Sequence, residues 1–440
     1  MLDIKFIREH PDLIREAARK KQIDFKVEEL LAVDEKRRAL LKEVEEKRAL
    51  LNAKSEEVAR IADAESNSAS AKSDSADANK KENAIAENRQ LKENLRAHEE
   101  ELKTFEEHFA AFMLEVPNVP DLSVPEGKTD ADNQEIRRWG DPPPFSFVPK
   151  DHIALMQDLG LVDFERGVKV AGFRGYFLKN DALRLSFALW QWAIAELAKK
   201  DFTLLSAPAL VRGVNLTGTG WLPQGKEEVY RVEEDLYLAG TAEVLVMGMH
   251  AGEMFAEGDL PKKYVAFSPC FRSEAGAYGK DAKGLYRLHE FMKVEQVILC
   301  RAEHAESVRW HEELTKNAEE LIQKLELPYR VVAVCGGDLG LGQVKKYDIE
   351  TWIPSQKRYG ETHSSSYFHD FQTRRLNIRY RDSQGKTRFC HSLNNTALAT
   401  PRLLINIIEN YQEADGSVRV PEVLQKYVGK EVIAKNMGGD

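Results

Sequence analysis

The first 116 residues contain no glycine and a single proline, Pro11, before Pro117 closes the stretch. Without those two breakers, and with Ala, Leu, Glu and Lys dominant, such a stretch folds into little other than helix. A heptad runs through it, with a positions at Leu30, Arg37, Val44, Leu51 and Val58 and d positions at Val33, Leu40, Lys47, Lys54 and Ile61. A second run, Ala84, Asn88, Leu91, Leu95, His98, Leu102, Phe105, Phe109, Phe112 and Val116, alternates steps of four and three. Most of these positions are apolar, so the two helices cover each other's seam as an antiparallel coiled-coil hairpin. Asp63 to Lys81, between them, is a Ser/Ala/Asp/Asn/Lys stretch with nothing to bury and is expected to form a mobile tip. Helices of roughly 35 residues give an arm of about 50 Å.

An arm so thin has too little core for catalysis, and either pairs copies of the chain or reaches a large partner. Its charge does not decide between the two: Glu28 to Val116 holds 15 basic and 22 acidic residues. Arg89, Lys92, Arg96 and Lys103 nevertheless share one helix face, with Lys80 and Lys81 just above it. A solvated face is the commoner meaning of such a stripe, and the rest of the chain must decide.

The whole chain has 440 residues, 42% hydrophobic, with net charge -9. That is enough for a sizeable core beyond the arm, and the acidity discourages nonspecific coating of nucleic acid. No apolar run approaches the roughly 18 residues of a membrane span, and the start lacks a secretory apolar centre. Cys270, Cys300, Cys335 and Cys390 are scattered without a CxxC pair, which argues for reduced thiols in a cytoplasmic protein rather than a disulfide frame or zinc site.

Pro117, Pro120 and Pro125, then Gly140-Asp141-Pro142-Pro143-Pro144, mark a linker over 117–150. From 151 to 440 helical runs (Asp181 to Lys200, Ala302 to Leu325) mix with strand candidates (Lys263 to Arg272, Tyr286 to Cys300, Tyr329 to Val334, Tyr347 to Ile353, Asn377 to Arg381). Strict strand–helix alternation is missing, so the expectation is α+β, an antiparallel sheet flanked by helices and preceded by the coiled-coil arm. Gly127-Lys128-Thr129 and Gly385-Lys386-Thr387 lack the leading glycine of a phosphate loop, and Gly336 to Gly342 misses dinucleotide spacing.

A different pattern carries chemistry. Phe267 to Glu274 and Leu285 to Glu295 flank a Gly/Lys-rich loop and read as a hairpin. Alternation puts Arg272 and Glu274 on one face, with Arg287, His289, Phe291, Lys293 and Glu295 as a matching row. Arginines, a ring and carboxylates make a poor core and a good nucleotide bed, since guanidinium forks suit phosphates and a ring stacks on a base.

The same residues resemble a known family. Phe271-Arg272-Ser273-Glu274 with Arg287 is similar to the second motif of class II aminoacyl-tRNA synthetases. Phe389 to Arg402, followed by Leu403 to Asn410, resembles the third, and Ser206-Ala207-Pro208 the first, with its dimer-interface proline. Thr241-Ala242-Glu243 and Gly360-Glu361-Thr362-His363-Ser364-Ser365-Ser366, then Asp370 to Arg375, narrow the resemblance to seryl-tRNA synthetases. It implies ATP-dependent activation of L-serine, transfer of the seryl group to tRNA(Ser), and often to tRNA(Sec), and a homodimer in which each arm holds tRNA for the other subunit. By resemblance Arg272 is catalytic, bridging the α-phosphate and the serine carboxylate. Glu274 accepts from the adenine amino group, Phe291 and Arg402 sandwich the adenine, and Arg287 holds the outer phosphates. Ser273, Leu288, Thr362 and His363 accompany them in the ATP motifs, with His363 itself read as structural. Glu361 and Ser364 match Mg²⁺-linked positions. Thr241, Ala242, Glu243, Glu295 and Thr396 with Arg272 surround serine, and Lys80, Lys81, Arg89, Lys92, Arg96 and Lys103 face tRNA.

This arm is more acidic than is common in the family, and the third motif reads Asn394-Asn395-Thr396-Ala397 where many members are glycine-rich. Two other readings stay open on sequence: a ligase that loads an amino acid onto a carrier protein, and a catalytically dead paralogue acting through its coiled coil. The long arm weighs against the first and the intact motif residues against the second.

Overall fold

The computed structural model describes residues 1–67, 75–275 and 283–435. They fall into two compact units: Ile4–Arg15 with Phe25–Val116, and Met1–Asp3, Glu16–Asp24 and Pro117–Asp440.

In the first unit two helices of 41 residues each, α1 (Val27–Asn67) and α2 (Ser75–Glu115), pack along each other. The heptad positions are the covered ones. Val44, Leu95 and Leu102 are buried together, with Leu40, Leu41 and Leu51 against them. Polar seam residues find partners across the pair. Lys47 Nζ lies 2.7 Å from His98 Nε2, and Asn88 Nδ2 donates to Ser55 Oγ at 3.2 Å, which also shows that the helices run antiparallel. The Arg37 guanidinium sits 4.5 Å over the Phe109 ring. Both helices invade the expected tip, one running through Asn67 and the other starting at Ser75. No glycine or proline stops them, and adding residues to an existing helix costs little. Of the expected tip, 68–74 lie outside the described residues; Lys80 and Lys81 lie in α2.

The second unit is built on one eight-stranded sheet. Its strands are β1 (Gln134–Trp139), β2 (Thr203–Ser206), β3 (Lys262–Phe271), β4 (Glu290–Cys300), β5 (Tyr329–Ala333), β6 (Lys345–Ile353), β7 (Arg358–His369) and β8 (His391–Thr400). The order is β1-β5-β6-β7-β8-β4-β3-β2, antiparallel throughout except for the parallel edge pair β2–β3. The stretch read as a linker thus contributes the edge strand β1. Helices α3 (Asp181–Ala198), α4 (Ala242–Met249), α5 (His304–Lys324) and α6 (Arg402–Asn410) flank the sheet. No helix among the described residues is long and apolar enough to cross a membrane.

Alternation along β4 divides core from site. Val294 and Ile298 join Leu185, Leu189 and Trp192 of α3 and Leu314, Leu321 and Ile322 of α5 in the main core. Val297 and Leu299, on the other face, pack with Ala242 and Val246 of α4. Continuing that face toward the start of β4 brings up Glu295, Lys293 and Phe291, where α4 no longer covers the sheet. β4 begins only at Glu290, so the expected strand row from Arg287 is shorter, and the loop 276–282 lies outside the described residues.

Leu95 fills the middle of the α1–α2 seam at 6% exposure. Leu95→Ala is expected to weaken the hairpin by about 2–3 kcal/mol, read as faster amide hydrogen exchange in α1 and α2.

Candidate active site

Where the sheet face is left open, a cleft of about 700 Å³ forms. Thr241, Glu243, Arg272, Glu274, Arg287, Leu288, Phe291, Glu295, Glu361, Thr362, Ser364, Thr396 and Arg402 all line it, so most of the residues singled out in sequence meet in one place.

Its most demanding feature is a pair of buried carboxylates. Glu243 and Glu295 are 6% and 1% exposed. Thr241 caps α4, and the first turn of that helix points at Glu295. Glu295 Oε2 accepts from Thr241 Oγ1 at 2.5 Å and from the Glu243 backbone N–H at 3.1 Å. Lys293, two residues back on the same strand face and 4% exposed, brings its ammonium within 2.7 Å of that oxygen and of Thr241 Oγ1. The other oxygen, Oε1, accepts from Asn394 Nδ2 at 3.3 Å. Thr396 stands opposite Glu295 in the β4–β8 ladder and lines the cleft beside it. Glu243 has weaker support, a hydrogen bond to Oε1 from Gln372 Nε2 at 2.6 Å, with Gln372 itself fixed by Ser392 Oγ at 2.7 Å. Burial and the neighbouring Glu295 push the Glu243 pKa up to about 7, although Gln372, Lys293 and Arg272 pull the other way. Two buried acids side by side cannot both hold a charge cheaply, and Glu243 is the one that keeps its proton.

Arg272 borders this pocket. Its Nε donates to Gly240 O at 3.2 Å, and its guanidinium lies 5.6 Å from the Trp221 ring and 5.3 Å from Phe291. Just past β3 the chain turns through Glu274, whose φ of +54° breaks strand alternation. Glu274 is thereby brought to Arg287 Nη1 at 2.6 Å. At the far end Arg402 opens α6. Its Nε donates to Tyr286 O at 2.9 Å, its Nη1 to Glu361 O at 3.0 Å, and its guanidinium stacks 4.5 Å over Tyr286. The Glu361 carboxylate also lies 3.3 Å from Arg402. Removal from bulk solvent works against its charge, but Arg402, Lys346 and Arg272 together hold it below the ordinary carboxylate range.

Four expected participants sit elsewhere. Ala242 is buried in the apolar cluster under α4, and the Ser273 hydroxyl is turned to the Glu227 carbonyl. His363 alternates on β7 with the cleft residues Thr362 and Ser364 and is fully buried. There burial drops its pKa to about 4, so the ring is a neutral packing group. His289 leaves the expected row because it precedes β4. Its Nδ1 lies 3.0 Å from Arg272 O, and its ring sits edge-on to Phe173 and Tyr230. On α2, Arg89, Arg96 and Lys103 are exposed, each within 4.0 Å of the glutamate four residues on; Lys92 is exposed beside them. Sequence reading gave no role to Lys293, Gln372, Asn394 or Tyr286. The alternation of β4 pointed to Lys293, while Gln372, Asn394 and Tyr286 fell inside the segments singled out in sequence without a role of their own.

A family model for the seryl-tRNA synthetase N-terminal domain matches residues 1–120, and one for the class II tRNA synthetase core domain (G, H, P, S and T) matches residues 227–411. The chain is 44% identical over 437 residues to a serine–tRNA ligase of Deinococcus radiodurans, covering 99% of both. It is 50% identical over 438 residues to serine–tRNA ligase 1 of Clostridium acetobutylicum, covering 98% of this chain and 100% of that one. Among solved structures, the seryl-tRNA synthetase of Pyrococcus horikoshii complexed with ATP superposes with a TM-score of 0.89 at 39% identity, over 99% of this chain and 100% of that one. The cytoplasmic serine–tRNA ligase of Naegleria fowleri in complex with AMP does so with a TM-score of 0.84 at 33% identity, over 98% of both.

A carboxyl whose folded pKa is raised to about 7 costs stability once the unfolded chain ionises, and the cost grows between about pH 4.5 and 7. Glu243→Gln removes it. The variant is expected to melt higher than the parent at pH 8, by up to roughly 3 kcal/mol of stability, and to match it at pH 4.5.

Proposed function

The chain belongs to the seryl-tRNA synthetase family, and we propose that the cleft on its sheet is where both halves of that family's reaction take place. The reaction is ATP-dependent activation of L-serine to seryl-adenylate, followed by transfer of the seryl group to tRNA(Ser). The observation that carries the assignment is the joining, in one cleft, of two buried carboxylates suited to an ammonium with an arginine suited to a phosphoryl group.

Serine enters with its ammonium between Glu243 and Glu295 Oε1, since Oε2 of Glu295 is already taken by Lys293, Thr241 and the α4 backbone. Thr396 takes the serine hydroxyl, so alanine and glycine leave a polar group unpaired. The serine carboxylate and the α-phosphate of ATP are both anions and must approach to react. Arg272 bridges them, which lowers their repulsion and the charge of the phosphoryl transition state. The carboxylate oxygen attacks phosphorus, pyrophosphate leaves, and the mixed anhydride stays in the cleft. Phe291 and Arg402 enclose the adenine, Glu274 accepts from its amino group, and Arg287 takes the outer phosphates.

Among the described residues no cluster of three or more His, Cys, Asp or Glu could hold a metal unaided. A Mg²⁺ ion that shares phosphate oxygens needs only one or two protein ligands, and the ionised Glu361 with the Ser364 hydroxyl offers hard oxygen donors in the cleft. Bound there, Mg²⁺ would neutralise phosphate charge.

For transfer, Arg89, Lys92, Arg96 and Lys103, with Lys80 and Lys81, contact tRNA phosphates, and tRNA(Sec) is a second acceptor to be assayed beside tRNA(Ser). The chain works as a homodimer: Leu183 and Phe187 on α3 and Leu204 on the edge strand β2 are exposed apolar side chains beside an unpaired strand edge. A cytoplasmic setting suits four free, buried thiols.

Serine-dependent exchange of pyrophosphate into ATP tests the assignment. Arg272→Ala is expected to lower it by about 10³-fold with the fold intact, whereas Arg89→Ala with Arg96→Ala leaves exchange unchanged and weakens charging of tRNA(Ser). An ammonium binds the ionised form of Glu243, so KM for serine is expected to fall as pH rises through about 7. Glu243→Gln should flatten that profile.

A further inference from the structure

One wall of the cleft is the loop Gly340–Gln343, and its backbone carbonyls are held from outside the sheet. Lys21 Nζ donates to the carbonyl oxygens of Gly340 at 3.0 Å, Leu341 at 2.8 Å and Gln343 at 2.6 Å. The remaining carbonyl, of Gly342, accepts from Asn118 Nδ2 at 2.9 Å, and the same nitrogen donates to Phe368 O at 2.8 Å. The Asn118 backbone N–H adds a bond to Leu341 O at 2.9 Å. Lys21 and Asn118 are each 3% exposed. An ammonium buried on carbonyl dipoles is a poor source of stability, and burial pulls its pKa well below the ordinary lysine value. What the arrangement does achieve is to fix four successive carbonyls.

The inner side of this loop leans on the serine pocket. A Cβ added at Gly342 would lie 2.6 Å from Cδ1 and Cε1 of the Phe371 ring, and one added at Gly220 would lie 3.2 Å from the same Cε1. Phe371 is fully buried, and the next residue is Gln372, whose amide donates to Glu243 Oε1 at 2.6 Å and to Thr219 O at 3.3 Å. Displacing the loop therefore frees Phe371 and moves the one side chain that, among the described residues, hydrogen-bonds the Glu243 carboxylate, while Phe291, Tyr286 and Arg402 stay anchored on other elements.

We propose that Lys21 and Asn118 are positioning residues of the serine subsite, holding the loop Gly340–Gln343 against Phe371 so that Gln372 keeps Glu243 in register. The inference rests on the assignment of Glu243 to the serine ammonium. In the chain Lys21 comes just before α1 and Asn118 just after α2, so neither is reached by the motifs of the catalytic unit.

The test is steady-state pyrophosphate exchange by the full chain, with KM for serine and for ATP measured separately. Lys21→Met is expected to raise serine KM about tenfold with ATP KM and kcat within about twofold, and Lys21→Arg, which keeps donors, to recover part of it. Asn118→Ala should show the same split, and it carries the test alone if Lys21→Met does not fold. Equal rises in both KM values, or no rise, overturn the proposal. Glu243→Gln separates the two assignments. If it leaves serine KM unchanged, the role of Glu243 falls and this proposal with it; if it raises serine KM and the Lys21 and Asn118 variants do not, only this proposal falls.

Discussion

Glu243 and Glu295 share one buried pocket with a single lysine, and that charge balance constrains everything around them. A lone buried carboxylate is too costly to keep, and two are worse. Glu295 is matched inside the protein by Lys293, by the Thr241 hydroxyl and by the first turn of α4. Glu243 is hydrogen-bonded by an uncharged amide, and burial and Glu295 outweigh that amide, Lys293 and Arg272, so it holds a proton up to about pH 7. The pocket is thus one positive charge short. In the proposed complex the substrate ammonium supplies that charge, which makes the ligand part of the electrostatic design. A molecule without an amine would leave Glu243 protonated and gain nothing from it.

The rule that buried charge must be matched also shapes the helical hairpin. Asp34 is 1% exposed and would be untenable alone, but Arg8, Arg37 and Arg38 lie 3.1–3.4 Å from its oxygens. Lys47 in the seam meets His98, and the Arg37 stem and guanidinium cover Phe109. Polar groups at a and d positions cost stability, yet each is satisfied only in one alignment of the two helices, so they fix the antiparallel register that apolar residues would leave free to slip.

What could be read from sequence follows from how locally each feature is encoded. The two seams repeat every seven residues, and the assigned positions from Leu30 to Val58 and from Ala84 to Val116 are buried or half-buried. Arg272, Glu274, Phe291, Glu361 and Arg402 stand in short runs whose chemistry is unusual for a core, and they meet in the cleft. The central strands β7 and β8 are not legible as strands, because Glu361 to Ser366 is polar on both faces and His391 to Thr396 offers one apolar side chain, Leu393. On β7 the alternation carries no hydrophobic signal, since Thr362 and Ser364 face the cleft and His363 packs on the other side. The tip was drawn too long because composition marks where burial stops, and helix need not stop there. Lys21 has no signal at all, its carbonyl partners standing about 320 residues away in the chain, and Gln372, though inside the Asp370 to Arg375 segment, meets Glu243 only across 129 residues.

The adenine end of the cleft differs from the serine end in a way that bears on how each is filled. Arg287 is paired with Glu274 at 2.6 Å, and Arg402 with Glu361 at 3.3 Å. In the proposed complex Arg287 turns to phosphates and Glu274 to the adenine amino group. Binding ATP there trades one charge-assisted bond for another, and much of the gross attraction is spent in the exchange. The serine pocket has no such pair to break: its one empty coordination is on Glu243 and Oε1 of Glu295, and it is filled by adding a charge. Nucleotide recognition in this cleft is therefore governed by geometry and stacking, because competing ionic partners are already in place. In the same proposed complex amino-acid recognition is governed by charge, and then by whether Thr396 finds a hydroxyl to satisfy.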